Sequence, residues 1–262
     1  MTPTDTATTA AVLAQPAADP AGGGAWLTRL LLNPRNRAVQ RDLRNVSDLH
    51  RTVMTLVPDH LGEAPRAQAG VLFRLETDGV GEPVLLVQTR TRPSADRLPA
   101  GYARAEVRSM GTLLGALCPG LLVRYRLAAN AVRRCGPNST AGRWKQVIPL
   151  HGPEADQWWT DRAATAGLAP RTLVSRSADT ATTWHTTTSN LAPAPAPSTA
   201  PGTGAGAGSR ADRRVDRAVT LFEGTALVTD PAALRSALLS GIGRSKSYGC
   251  GLLSLAPATP WA

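Results

Sequence analysis

The sequence predicts an α+β fold of two tandem ferredoxin-like (RRM-like) domains, each with the element order β-α-β-β-α-β. Two observations predict it: short apolar runs between turn residues alternate with segments of helical periodicity, and this succession occurs twice. A length of 262 residues suits two domains of about 100 residues each. We place the first domain at 26–143 and the second at 144–262.

The first domain begins with a predicted strand at 26–33, which Pro34 ends, and continues with a basic connection at 35–44. A helix follows, because either Asn45 or Ser47 can cap its first turn and apolar residues then recur with helical spacing. These apolar residues are Leu49, Val53, Leu56 and Val57. The remaining predicted elements are a hairpin of two strands at 70–76 and 83–89, a weaker helical region at 98–117 and a fourth strand at 121–128.

The second domain repeats this order less regularly. Its predicted elements begin with a strand at 144–150, a helix at 154–166 and a hairpin of the runs 171–177 and 182–188. A long strand at 213–228, a helix at 231–240 and a final strand at 251–255 follow. Two segments fall outside the pattern: a leader at 1–25, rich in Ala, Thr and Pro, and a Pro-, Gly- and Ala-rich insertion at 191–209. Because such compositions cannot form a packed core, we predict a disordered leader and a flexible surface loop.

The net charge of +10 indicates a polyanionic partner, with nucleic acid favoured over a membrane surface. Among the 29 basic residues only Lys145 and Lys246 are lysines. Arginine suits bidentate phosphate contacts, although coding bias in a GC-rich genome explains most of this preference. The sequence has no apolar run long enough to span a membrane, and the leader lacks the basic start and apolar centre of a secretory signal. We therefore expect no membrane association.

The three cysteines, Cys118, Cys135 and Cys250, are isolated from one another. This pattern argues against a disulfide framework or a zinc site and fits a reducing cytoplasm. The four histidines form neither HxxxH nor HExxH. The sequence thus predicts no metal site and no cofactor.

His50 is the first candidate for chemistry. It follows the apolar Leu49 by one residue, a rotation of about 100° that places it at the edge of the buried helix face. Imidazole titrates near neutrality, so it can take a proton from a ribose 2′-OH and give one to a leaving 5′-oxygen without a metal. An ordinary surface histidine is the alternative interpretation.

Three basic segments are candidate phosphate contacts. Two are the connection before the helix and the segment between the predicted domains, for which a solvated loop or a polar linker is the alternative. Their basic residues are Arg35, Arg37, Arg41, Arg133, Arg134, Arg143 and Lys145. The third is the glycine-rich stretch 241–251, where glycines let the backbone approach a phosphate and Arg244 and Lys246 add charge. A dinucleotide fingerprint runs from strand to helix, whereas this stretch runs from helix to strand.

These segments together resemble the CasE family, the repeat-RNA endonucleases of type I-E CRISPR systems. The resemblance rests on WLTRLLLNPRNRAVQRDL near the start, on DLHRTVM around His50, on VLFRLE and PVLLVQT, and on RYRLAANAVRR. The most specific part is the closing segment LFEGTALVTDPAALRSALLSGIGRSKSYGCGLLSLAP. The resemblance covers 26–257 in the same order and leaves out the leader and the 191–209 insertion.

The resemblance implies roles for particular residues. His50 occupies the place of the family's catalytic histidine, and Ser47 stands where family members often have a tyrosine, which makes it the candidate second catalytic residue. The glycine-rich stretch matches the family's RNA-contacting loop at Gly241, Gly243, Arg244, Lys246 and Gly249. A basic hairpin of the second domain is expected to touch the repeat stem, with Arg171 and Arg176 as the nearest candidates.

The implied function is metal-independent cleavage of precursor CRISPR RNA at the 3′ base of the repeat stem-loop, leaving a 2′,3′-cyclic phosphate. The family stays bound to the mature guide RNA as a subunit of Cascade. One alternative is a non-catalytic subunit that caps the repeat hairpin. A weaker one is an RRM-type binder of single strands, for which Phe73 and Tyr125 are too few aromatics on the central strands. Trp158 and Trp159 are interpreted as core rather than as a stacking platform.

Overall fold

The computed structural model describes residues 24–77, 82–186 and 212–258. The predicted insertion at 191–209, and the predicted leader apart from its last two residues, lie outside the described residues. Within these ranges, none of the helices combines the length and the apolarity that a bilayer span requires.

The first sheet has four antiparallel strands in the order β2-β3-β1-β4. The strands are β1 Trp26–Leu32, β2 Leu72–Glu76, β3 Val84–Thr89 and β4 Ala103–Ser109. The helices of this unit are α1 Arg37–Arg44, α2 Val46–Met54 and α3 Pro65–Gln68. Leu49 and Val53 of α2 pack with Leu30, Phe73 and Leu85 of the sheet in one core, which confirms the apolar helix face predicted from the sequence.

Two details of the first unit differ from the prediction. The connection predicted at 35–44 is largely helical, because the Asn36 side chain caps α1 by accepting a hydrogen bond from the Ala38 amide, and Val39 and Asp42 are buried. Of the two predicted caps for α2, Asn45 is the one observed. Between β3 and β4 the chain forms only the 3₁₀ turn Ala95–Arg97 instead of a second helix.

The predicted helical region at 98–117 instead holds β4 and the short helix α4 Gly111–Ala116. Strand β4 was missed because it is a sheet edge whose side chains are largely exposed and show no apolar alternation. The strand predicted at 121–128 exists as β5 Leu122–Ala129, but its assignment as fourth strand of the first unit was wrong. It pairs with strands near the end of the chain and buries Tyr125 and Leu127 in the second core.

The second sheet has the strand order β11-β5-β10-β8, and β9 also pairs with β10. Its strands after β5 are β8 Leu168–Pro170, β9 Val174–Thr186, β10 Asp212–Val228 and β11 Leu253–Pro257. The helices are α5 Pro153–Thr165 and α6 Pro231–Ser240. β8 and β9 pair with successive parts of β10 and so form one interrupted edge strand. With these two counted as one, the order of this sheet and its helices from β5 onward is β-α-β-β-α-β, with Trp159, Phe222 and Leu234 in the core. The prediction of two ferredoxin-like units is confirmed, as is the assignment of Trp159 to the core.

Two further strand predictions were wrong in their pairing. The strand at 144–150 does not open the second unit: β7 Val147–Pro149 pairs with β6 Val132–Arg134 in a separate two-stranded ribbon. Of the two runs predicted as a hairpin, 174–177 and 182–186 lie in the single strand β9, whose partner is β10, and residues 187 and 188 lie outside the described residues. The domain boundary at 143 and 144 stays a prediction, and sheet membership supports a boundary between β4 and β5.

Buried hydrogen bonds join the two units. Arg74 on β2, only 3% exposed, donates to the carbonyl oxygens of Arg126 and Leu252 and to the hydroxyl of Ser254. Its guanidinium also forms an ion pair with Glu76 at 2.8 Å. Because these acceptors lie on β5 and at the start of β11, Arg74 connects the first sheet to the second.

Candidate functional site

Helix α2 carries His50 to the surface of the first unit. The helix begins at Asn45, whose side-chain oxygen accepts a hydrogen bond of 3.1 Å from the Ser47 amide. Leu49 points into the core, and the next residue, His50, is half-buried at the edge of that face. The His50 ring stacks on Phe73 of β2, with centroids 6.0 Å apart and an interplanar angle of 20°.

A buried carboxylate anchors the same helix. Asp42 of α1 is 1% exposed and accepts hydrogen bonds from Thr52 Oγ1 at 2.6 Å and from the Tyr102 hydroxyl at 2.8 Å. Arg41 also donates to Asp42 and forms an ion pair with it at 2.7 Å. Burial and the Asp42 carboxylate raise the pKa of Tyr102, so this phenol stays a hydrogen-bond donor. The network fixes α2, and with it His50, against α1 and the segment before β4.

The environment of His50 favours its neutral form. Burial lowers the pKa of the imidazole, and the positive charge of Arg66 lowers it further. The Nδ1 atom is buried and, among the described residues, has no hydrogen-bond partner. A neutral imidazole is the form that can accept a proton.

The glycine-rich stretch of the second unit folds onto this helix. Its 3₁₀ turn, Lys246–Tyr248, packs against both α2 and β2. Gly249 follows with φ +79°, and a Cβ atom there would lie 3.3 Å from the Phe73 ring, so the backbone approaches the residue that stacks on His50. The structure thereby brings together His50 and the loop, two features that are almost 200 residues apart in sequence.

A pocket of about 350 Å³ opens between the loop and the first unit. It is lined by Arg66, Gly243, Arg244, Ser245, Lys246, Ser247 and Tyr248. Burial and the charge of Arg66 lower the pKa of Lys246. None of the three basic side chains forms an ion pair with a carboxylate of the described part of the chain. As far as the described residues go, the pocket is therefore a cationic site without an internal counter-ion.

The predicted loop residues lie in or beside this pocket. Gly243, Arg244 and Lys246 line it. Gly241 and Gly249 both have φ above +70° and hold the loop against Leu72 and Phe73 of β2.

The other predicted basic residues lie elsewhere. Arg35 and Arg37 are exposed around the start of α1, and Arg41 is paired with Asp42 as described above. Arg133 and Arg134 are on β6, and Arg143 and Lys145 are in the loop of the β6–β7 ribbon.

Several of these side chains already have partners. Arg133 forms an ion pair with Glu154 at 3.4 Å, and Arg176 on β9 forms one with Glu223 at 3.6 Å. The Lys145 ammonium lies 4.0 Å from the centre of the exposed Trp144 ring.

Sequence reasoning missed Arg66 and Tyr248 as parts of the site. Tyr248 lies within the glycine-rich stretch, so its place in the loop was a usable signal. Arg66 is in a short helix with no motif, and only its position beside His50 and Lys246 identifies it.

The family model described as CRISPR associated protein matches residues 25–257. The chain belongs to this family. It is 33% identical over 233 residues to the CRISPR-associated endoribonuclease Cse3 of Thermus thermophilus, covering 88% of this chain and 100% of that protein. These matches confirm the resemblance to the CasE (Cse3) proteins.

Solved structures agree with this membership. Thermus thermophilus Cse3 bound to an RNA representing a pre-cleavage complex matches with a TM-score of 0.66 and 30% identity over 89% of this chain and all of that one. A chain of a CRISPR RNA-guided surveillance complex in a pre-nicking state matches with a TM-score of 0.56 and 33% identity, over 88% of this chain and 99% of that one. Cas6e of Escherichia coli K-12, at 21% identity and a TM-score of 0.59 over 88% of this chain and 99% of that one, supports the fold alone.

Proposed function

We propose that this protein is an endoribonuclease that processes precursor CRISPR RNA without a metal ion and then stays bound to the mature guide RNA. The observation that carries the proposal is the position of a half-buried, neutral His50 beside a cationic pocket with no internal counter-ion among the described residues. The name of the Thermus relative as an endoribonuclease, and its solved structure with RNA, support the same activity.

In the proposed reaction the ribose 2′-oxygen attacks the adjacent phosphorus and the bond from phosphorus to the 5′-oxygen breaks. The upstream product ends in a 2′,3′-cyclic phosphate and the downstream product begins with a 5′-hydroxyl. His50 takes the proton of the 2′-OH, gives a proton to the 5′-oxygen, or does both in turn. Lys246 and Arg244 stabilise the negative charge that develops on the phosphorane.

Ser47 is the proposed second catalytic residue. It lies three positions before His50 on α2, so the two side chains share one face of the helix. Its hydroxyl is shorter than a phenol and reaches the 2′-OH only if the RNA backbone lies close to α2.

The cleavage position we propose is the 3′ base of the repeat stem-loop. Duplex RNA has a deep, narrow major groove, so the stem is recognised by its shape and its phosphates. The proposed phosphate contacts outside the pocket are Arg35, Arg37, Arg41, Arg133, Arg134, Arg143, Lys145 and Arg176, with Gly241, Gly243 and Gly249 allowing close approach of the loop backbone.

The match to a chain of a CRISPR RNA-guided surveillance complex supports assembly with other Cascade subunits. Retention of the product predicts close to a single turnover per protein. A cytoplasmic location stays the prediction from the isolated cysteines.

The test is incubation of the purified protein with its cognate repeat RNA in EDTA, beside His50→Ala. The matched control is His60→Ala, since His60 is exposed and outside the pocket. We expect cleavage by the native protein and by His60→Ala, and none by His50→Ala. Tight binding without cleavage by the native protein would contradict the enzyme proposal and favour a subunit that only caps the repeat hairpin.

A further inference from the structure

Three basic side chains from both units meet at the pocket beside His50. Lys246 and Arg244 come from the loop of the second unit, and Arg66 comes from α3 of the first. Like charges at close range raise the free energy of the folded protein unless an anion offsets them. Since the described residues supply no carboxylate partner, the arrangement is suited to an anion that arrives from outside.

Arg66 is held in a fixed orientation. It is partly buried, and its Nη1 atom donates a hydrogen bond of 3.1 Å to the Val71 carbonyl, just before β2. A guanidinium has five N–H donors. In the part of the chain that the structure describes, this is the one hydrogen bond that the Arg66 side chain makes. Arg66 is one of the residues that line the pocket.

The planar fork of a guanidinium matches two non-bridging oxygens of a phosphate, a geometry that an ammonium group cannot reproduce. Arg66 and Lys246 line the same pocket, so both can contact a ligand bound there, and the charge of Arg66 also lowers the pKa of the neighbouring His50. An ordinary surface arginine would be more exposed, and its charge would be screened from its neighbours by water.

We propose that Arg66 binds the non-bridging oxygens of the scissile phosphate from the first unit, opposite Lys246 of the second. This inference rests on the proposed endoribonuclease function and adds a catalytic residue to it. Clamping one phosphate between the two units places the 2′-OH and the 5′-oxygen beside His50.

The experiment compares Arg66→Gln and Arg66→Lys with the native protein in single-turnover cleavage of the repeat RNA at saturating protein. The matched control is Arg104→Gln, which removes the same charge from an exposed position on the edge strand β4. We expect Arg66→Gln to cleave about 10²-fold more slowly. Arg66→Lys should be intermediate, because it keeps the charge and loses the fork, and Arg104→Gln should match the native rate.

A second readout separates a phosphate contact from a structural role. Replacing one non-bridging oxygen of the scissile phosphate with sulfur weakens a hydrogen bond from a guanidinium. Because the fork contacts both of these oxygens, either sulfur diastereomer should slow the native protein. Arg66→Gln has no such bond to lose and should show little of that slowing. A repeat RNA with a 2′-deoxy nucleotide at the cleavage position cannot be cut, so it reports binding alone. The affinity of Arg66→Gln for this RNA should be lower than that of the native protein by no more than about tenfold, since one phosphate contact among many is removed.

The outcomes distinguish the two proposals. If the native protein cleaves, His50→Ala does not, and Arg66→Gln matches Arg104→Gln or keeps the full effect of sulfur, the Arg66 inference alone is overturned. If the native protein does not cleave in EDTA, the proposed function falls and the Arg66 inference falls with it. If Arg66→Gln lowers the unfolding temperature, the effect of sulfur is measured on Arg66→Lys instead, because its ammonium can still donate to the Val71 carbonyl. A smaller slowing by sulfur than in the native protein supports the phosphate contact, and the full slowing overturns it.

Discussion

Arg74 offers the most quantitative test of how the two units are held together. Replacing it with methionine keeps most of the side-chain length but removes its donors. The native guanidinium is 3% exposed and bonds to Glu76, to the carbonyl oxygens of Arg126 and Leu252, and to Ser254. The change therefore removes the Glu76 ion pair within β2 and all three hydrogen bonds to the second unit at once.

The magnitude follows from the loss of one partner of a buried ion pair, which costs about 3–5 kcal/mol. Glu76 is 24% exposed at its side chain and keeps Arg126 at 3.7 Å, so water and that second arginine offset part of the loss. We therefore expect the low end, about 3 kcal/mol. For a chain of this size that corresponds to a fall in unfolding temperature of about 6 °C.

The assay is thermal unfolding of Arg74→Met followed by circular dichroism, with urea unfolding as a second measurement. Arg104→Met is the matched control, because Arg104 is exposed and its nearest carboxylate, Glu82, is 3.9 Å away. It should unfold within about 2 °C of the native protein. Phe73, which stacks on His50, precedes Arg74 on β2, so cleavage by Arg74→Met should also slow.

An unfolding temperature of Arg74→Met equal to that of Arg104→Met would refute this reasoning. It would mean that the apolar contacts between the units, rather than the buried guanidinium, hold them in register.

Two further predictions concern His50 and its supporting helix. The pKa of His50 lies below its ordinary value of 6.5. The pH dependence of kcat/KM reports the ionisation of groups in the free protein, so its midpoint should lie below 6.5 whether His50 acts as base or acid. As a base, His50 should give a rate that rises as the pH passes this midpoint. Arg66→Gln should move the midpoint upward, because a neighbouring positive charge is removed, and a midpoint above 6.5 in the native protein would contradict the assignment. Tyr102→Phe removes one hydrogen bond to the buried Asp42, which keeps Thr52, so it should destabilise the protein by about 1–2 kcal/mol in urea unfolding; unchanged stability would show that the phenol contributes nothing to anchoring α2.

Local pattern was enough to predict many of the elements. Strand β1 was predicted from a largely apolar run that Pro34 ends, and helix α2 from the helical spacing of its apolar residues. Helix α6 was predicted with a proline in its first turn. The same reasoning failed for β4, an exposed edge strand without apolar alternation. It also failed for the partner of β9, because strand pairing across a long separation in sequence is decided by the whole sheet.

The site divides in the same way. The sequence by itself pointed to His50, through its position on an amphipathic helix and the resemblance of the segment around it, and to the glycine-rich loop with Arg244 and Lys246. The sequence did not predict the contact between the His50 helix and the glycine-rich loop, since no local pattern relates residue 50 to residue 246. Only the tertiary structure brought the loop onto Phe73 and added Arg66 to the pocket, because packing of one unit on the other determines which side chains share a cavity.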